Sequence, residues 1–431
     1  MIFRTKRLGN TLIGLKIRMF YKIDPEKVLY ASFFIFYFIK LFFVGLGQLD
    51  GLLIASVVPV YFLFLVFKNV SLTRASILSF FSLIGFCALA LFYIFFGGGQ
   101  LVDLYFFISL PAFFIASSRL AKNGQILFVI NTFLGFLIVQ LLGVALQITH
   151  KIYGVGLVVP AAGAALGEDS YLLTMNPGSF VNSNDLSAVA SLLIVFFVFS
   201  HRLAPIRSKI AIFIGLVIVF LTLSRVAFIW SLLVLLLFLL SNLNKKKVFV
   251  SLILVLPLFW FASLTFTNFE NFEPVERSVE RIGSVEGVLS NGLVSDRTTS
   301  GRMSSYLNYF QQLKDIGFGT GNLRDYREFV PSSVSGSELF STAPHSFIVE
   351  ISYWGGWPML VLFLLSLTLV RPSSLSVFSV FLFSFFVLSF ISSTFIGNFM
   401  FFLVLYSIFG FHVVGSQNSK LSRQQLGTSP V

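Results

Sequence analysis

The chain has 431 residues, 56% hydrophobic and 17% aromatic with Phe alone supplying 56, and only 11% are charged. This balance excludes a water-soluble globular enzyme and identifies a polytopic membrane protein. The formal net charge of +12 is no nucleic-acid signature, because the longest polar stretch, 267–344, holds seven Lys or Arg against ten acids and the excess of cations lies elsewhere.

The N-terminal tail, 1–27, interleaves Arg4, Lys6, Arg7, Lys16, Arg18, Lys22 and Lys27 with Leu12, Ile13, Leu15, Ile17, Met19 and Phe20. Such a basic amphipathic segment suits the anionic inner leaflet. No cleavable signal peptide is expected, since the first apolar run begins late and is long enough to remain as an anchor. A hydrocarbon core about 30 Å thick takes roughly 20 apolar residues per helix, so about a dozen spans are predicted. They fall at 28–47, 51–67, 76–96, 101–118, 125–148, 184–200, 209–223, 226–241, 248–266, 345–370, 374–391 and 396–413. Length requires 209–223 and 226–241 to be separate, because about 33 residues of continuous helix would reach roughly 50 Å.

The domain plan is therefore a cytoplasmic tail at 1–27, nine spans over 28–266, a large outer loop at 267–344, three spans over 345–413 and a second cytoplasmic tail at 414–431. Orientation follows from the cations, which gather in cytoplasmic loops. Lys68 and Arg74, Arg119 and Lys122, Arg202, Arg207 and Lys209, Lys245 to Lys247, Arg371, Lys420 and Arg423 mark alternate connections, whereas 45–50 and 97–100 carry none and 149–183 carries only Lys151. Both termini are expected in the cytoplasm. The single Cys87 excludes an internal disulfide and a cysteine metal site, and is expected to be a small core residue.

Within the outer loop, Glu273 to Arg281 reads as a short helix and Gly283 to Asn291 as a connection rich in Gly, Ser and Asn. Thr298 to Ser300 offers a helix cap. Met303, Tyr306, Leu307, Phe310 and Leu313 then form one apolar stripe of an amphipathic helix, which ends where Gly317, Gly319 and Gly321 mark a tight turn. Arg302 lies in the first turn of that helix, where a cation opposes the helix dipole. A diphosphate would supply the missing charge, and a solvated pair with Asp296 is the alternative. Arg225 lies between two apolar runs at the expected outer face, against the cation trend, and either serves function or reaches headgroups. His345 stands where the loop re-enters the membrane, suited to accepting a proton or holding a phosphate, or else satisfied by carbonyls. Glu350 is an intramembrane acid that asks for a partner, with Lys40 and Arg225 as candidates.

The fragments Gly178 to Asp185, Ser224-Arg225, Gly301-Arg302, Ile316 to Gly321, and Pro344 to Phe347 with Gly355-Gly356 downstream resemble the bacterial O-antigen ligase and O-antigen polymerase superfamily. The family's His-Asn is His345-Ser346 here. The resemblance implies a type C glycosyltransferase architecture and a metal-independent enzyme without cofactor. Its donor would be a glycan on undecaprenyl diphosphate, used in a bacterial inner membrane. Carried onto this chain, Arg225 and Arg302 would hold the diphosphate and His345 would orient or deprotonate the acceptor hydroxyl. Arg281, Asn182 and Asn184 would be lesser sugar or phosphate contacts, with Glu350 grouped beside them. A flippase and a chain-length regulator are the implied partners. Polymerisation of repeat units is the favoured reaction, on the Phe-rich, low-charge character, with ligation to lipid A core as the alternative. A transporter or flippase is a further alternative. Against it, the link from His201 to Ser208 is short and the two halves show no repeat.

Overall fold

The computed structural model describes residues 24–42, 57–63, 65, 74–96, 101–153, 178–180, 183–222, 224–242, 317–319, 346–369, 375–391, 398 and 400–409. The described residues form helices joined by turns, with no strand among them. In chain order these are α1 (Pro25–Phe42), α2 (Arg74–Phe96), α3 (Leu101–Lys122), α4 (Ile126–Tyr153), α5 (Ser183–Ser200), α6 (Pro205–Leu221), α7 (Arg225–Asn242), α8 (Phe347–Thr368) and α9 (Leu375–Ser389), followed by α10 (Met400–Phe409). Residues 57–63 are helical as well.

Among the described residues four helices are long and apolar enough to cross a membrane, at Ile77–Phe96, Ile126–Thr149, Ser183–Ser200 and Phe347–Thr368. The expected division of 209–223 from 226–241 is observed. Proline opens α6, its N–H dispensable at that position, Thr222 caps its end, and α7 starts afresh at Arg225. Helix α4 runs five residues past the expected 148. The span expected at 248–266, residues 1–23 of the first tail, the second tail, and the polar stretch 267–344 apart from 317–319 lie outside the described residues.

Helix α5 is the centre of the bundle, with 89% of its span buried. Its small residues explain this, because serine and alanine let neighbouring helices approach closely where lipid gives no hydrophobic push. Ser191 Oγ donates to Ala227 O of α7 at 3.2 Å, and Ser231 Oγ donates to Ser191 Oγ at 2.9 Å. Helices α6, α7 and α9 pack around α5, α4 packs on α6, and α8 lies along α2. Elsewhere the core is phenylalanine against phenylalanine, as in the edge contact of Phe33 with Phe113 at 4.6 Å. Phe81, Phe213 and Ile229 point outward from the bundle, a liability in water and the ordinary state of a lipid-facing surface. Cys87 is buried, its Sγ donating to Phe107 O at 3.1 Å.

One end of the bundle is tied by polar side chains. Tyr30 Oη lies 2.5 Å from Ser117 Oγ and donates to Ser407 Oγ at 2.6 Å, joining α1, α3 and α10. Ser79 Oγ of α2 donates to Ser366 O of α8 at 2.5 Å. Arg119 Nε meets Glu26 Oε1 at 2.5 Å, with Glu26 only 2% exposed. Burial pushes the Glu26 carboxyl above its ordinary range, and a hydrogen bond with Asp24 adds to this, while the Arg119 charge pulls it back.

Removing one partner of a buried pair leaves the other charge unanswered. Arg119→Ala is expected to lower stability in detergent toward the lower end of about 3–5 kcal/mol, since Arg119 keeps 20% exposure. With the carboxyl raised, folded Glu26 keeps a proton that the unfolded chain releases, so the variant's thermal midpoint falls as pH rises above the ordinary carboxylate range. The double variant Arg119→Ala/Glu26→Gln should recover most of the loss and lose that pH dependence. Melting curves at pH 5 and pH 8 read both effects.

Candidate functional site

The other end of the bundle gathers the starts of α5, α7, α8 and α10. Asn398 Nδ2, just before α10, donates to Asp185 O in the first turn of α5 at 3.1 Å. Phe347, the first residue of α8, packs on Phe401 and Phe402 of α10 at 5.2 and 4.8 Å. The contact of Ser191 with Ala227 sets the beginning of α7 against α5. Asn184 is half-buried and Asp185 and Glu350 are buried in the first turns of α5 and α8. Acids there are favoured by the helix dipole. Ser346 precedes α8 in extended conformation, but its buried hydroxyl caps nothing and meets no partner among the described residues.

At this same end a short piece of the polar stretch 267–344 is locked into α8. Helix α8 breaks at Gly356, with φ 64° and ψ −164°, a conformation open essentially to glycine alone. Pro358 follows without an N–H, so the helical ladder is interrupted here. The Trp357 N–H donates instead to Gly317 O at 3.0 Å, and Tyr93 Oη of α2 donates to Phe318 O at 2.5 Å. Backbone meets backbone: a Cβ on Gly319 would stand 2.5 Å from Gly356 N and Trp354 O, and one on Gly356 would stand 2.2 Å from Gly317 O. Trp354 closes the seam from behind, 5.2 Å from the Phe107 ring.

A second irregular piece is held by α4. Gly178, Ser179 and Phe180 form a buried turn, and Phe180 stacks on Tyr37 of α1 at 5.5 Å. Gln147 Nε2 donates to Gly178 O at 2.8 Å while its Oε1 accepts the Gly178 N–H at 2.9 Å. Gln140 Oε1 accepts both Ser179 N–H and Ser179 Oγ, at 3.0 and 2.9 Å. Neither glutamine nor Asn398 is among the residues expected from sequence. A signal for the glutamines exists there, since Gln140 and Gln147 are two amides seven positions apart on one face of an apolar helix.

Of the residues expected at the site, Asn184, Glu350 and the backbone of Arg225 stand in the helix starts that lie at one end of the bundle. Arg281, Arg302, His345 and Asn182 lie outside the described residues, as do the side chains of Arg225 and Lys40. His345 directly precedes Ser346 in the chain. Among the described residues no group of three or more His, Cys, Asp or Glu comes together as a metal-ligand set.

Residues 210–364 match the family model described as O-antigen ligase. The match takes in α6 from Ile210, α7, the glycine turn and α8 through its break, and it supports the O-antigen ligase and polymerase superfamily, whose members are membrane glycosyltransferase-like enzymes. No curated protein and no solved structure matches the chain.

The seam makes a comparison of two glycines informative. Gly124 also has a positive φ, 70°, but a Cβ there would meet nothing within 4 Å. Gly124→Ala is expected to cost only the left-handed strain of about 1–2 kcal/mol and to leave activity unchanged. Gly319→Ala adds a backbone collision to that strain and is expected to lower activity by on the order of a hundredfold through displacement of the turn at 317–319. Parallel activity and melting measurements on the two variants separate strain from docking.

Proposed function

We propose that the protein is a polymerase of undecaprenyl-diphosphate-linked oligosaccharide repeat units, working at the outer face of a bacterial inner membrane in O-antigen, capsule or exopolysaccharide synthesis. The observation that carries this reading is the family match over 210–364, a stretch that includes Arg225, Arg281 and Arg302 and runs through His345. The gathering of helix starts beside Arg225, Asn184 and Glu350 supports it.

In the proposed reaction a hydroxyl oxygen of the acceptor repeat unit attacks the anomeric carbon of the donor glycan. The bond from that carbon to the diphosphate oxygen breaks, and its electron pair leaves with the lipid diphosphate. Arg225 and Arg302 neutralise the charge that develops on the leaving group, an interaction stronger in the transition state than in the ground state. Guanidinium is suited to this because its planar fork matches two phosphate oxygens and it stays charged. His345 orients the acceptor hydroxyl or takes its proton. Arg281, Asn182 and Asn184 contact sugar or phosphate. No metal or cofactor enters the scheme. The donor arrives from a flippase, and a chain-length regulator is the expected partner. Both chain termini then lie in the cytoplasm.

A second reading is ligation of finished polymer to lipid A core, favoured by the description of the matching family itself. Electrophoresis of surface polysaccharide from a strain lacking this gene separates the two. Single repeat units on capped core mean a polymerase; uncapped core with polymer stranded on the carrier means a ligase. In the complemented strain, Arg225→Ala, Arg302→Ala and His345→Ala are each expected to reduce chain extension by roughly 10²-fold or more with the protein still inserted. Arg327→Ala should give a wild-type ladder. Wild-type ladders from the first three would overturn the site assignment.

A further inference from the structure

The chain that brings Asn182 and Asn184 to the site is gripped just upstream. We propose that Gln147, assisted by Gln140, is a positioning residue for the lipid-linked glycan donor, fixing where Asn184 stands at the start of α5. The inference rests on the transferase reading and deepens it.

The argument begins with the surroundings of Gly178 to Phe180. These residues are buried yet not helical, and Gln140 lies nine positions before Thr149, where the apolar span of α4 ends, about 13 Å along the helix axis. Irregular backbone at such depth is tolerated only where protein satisfies its polar groups. Gln147 answers both groups of Gly178 with one planar amide, and Gln140 answers the Ser179 N–H and hydroxyl. Gln140 Nε2 stays buried with no partner among the described residues, a further cost of the arrangement. A connection with no task beyond linking α4 to α5 would run over the surface, where water satisfies it. Residues 178–180 instead lie buried just before α5 begins.

Asn184 lies between two anchors. Upstream is the glutamine clamp on Gly178 and Ser179. Downstream is Asn398, whose amide holds Asp185 O. The clamp is also specific in shape: a Cβ on Gly178 would stand 2.6 Å from Gln140 Oε1, so the turn and the glutamine fit only with glycine between them. Releasing the upstream anchor lets the first turn of α5 shift, and Asn184 shifts with it.

Gln147→Glu tests this without a change of size. The introduced carboxylate, when ionised, would face Gly178 O with an oxygen and no donor, whereas its protonated form restores both contacts. A carboxyl buried in such surroundings titrates above its ordinary range. With full-length protein in proteoliposomes and lipid-diphosphate-linked repeat units as substrate, kcat and KM for the donor are measured from pH 5 to pH 8. The expected result for Gln147→Glu is a donor KM raised on the order of tenfold at pH 8, returning toward wild type at pH 5, with kcat little changed. Gln147→Leu should show the raised KM at every pH. Placed in an Asn184→Ala background, either substitution should add little further loss, because the two act through one contact. A pH-independent Gln147→Glu, full additivity with Asn184→Ala, or an unaffected Gln147→Leu in an active enzyme would each overturn the positioning role alone. Wild-type protein that transfers no glycan would overturn the transferase reading, and the positioning role with it.

Discussion

A bundle this apolar offers few polar neighbours to stray backbone groups, so a departure from regular helix inside it needs a dedicated partner. Two departures are visible, the buried turn at 178–180 and the break at Gly356, and each has such partners. Glutamine side chains serve the first; the second trades bonds with the incoming loop, Trp357 giving its N–H to Gly317 O. Both belong to the end of the bundle where α5, α7, α8 and α10 begin rather than the end closed by Tyr30, Ser117 and Glu26. Among the described residues, the irregular backbone that side chains or an incoming turn hold in place thus lies at the candidate site. Polar backbone and side chains at membrane depth are tolerated where they line a protein-bounded site.

The two ends differ in how they are fastened. At the closed end most cross-helix bonds run from side chain to side chain, as when Tyr30 joins α1 to α3 and α10, with Ser79 to Ser366 O as the bond to backbone. Those contacts set helix spacing. At the site end, side chains bond to backbone: Gln147 to Gly178, Tyr93 to Phe318, Asn398 to Asp185. Contacts of that kind set the course of the chain itself, and with it the placement of Asn184 and of the turn at 317–319. Helix α5, packed on nearly all sides, transmits the constraint between the two ends because it has little freedom to move as a body.

Much of the helical architecture was legible because a lipid environment leaves composition and length as strong signals. The separation of α6 from α7 followed from the reach of a helix alone. The glycine turn at 317–319 was legible as a turn, and Gly355-Gly356 as a piece of motif. That one docks on the other was not legible, since nothing in either segment encodes a partner far along the chain. Gln140 and Gln147 escape for a different reason. Charge is the louder signal in an apolar sequence, and uncharged amides are quieter, although a primary amide buried in an apolar helix demands a partner as insistently as an acid does. Arg225, Arg302 and His345 stand out on electrostatic grounds, which read what a diphosphate needs but not where each side chain lies.

The helix starts at the site also differ among themselves. Helices α5 and α8 carry Asp185 and Glu350 in their first turns, so each answers the positive end of its own dipole. Helix α7 does the opposite, opening on Arg225 with no acid in its first turn. A cation placed where the dipole is already positive is destabilising by itself. The arrangement becomes favourable once an anion with several oxygens meets both the guanidinium and the helix start. A diphosphate has that form, and it is held most tightly when its charge is greatest, as the glycosidic bond breaks and the leaving group takes the electron pair. The residue that α7 tolerates at some cost in the resting protein is thus the one best suited to the transition state of the proposed transfer.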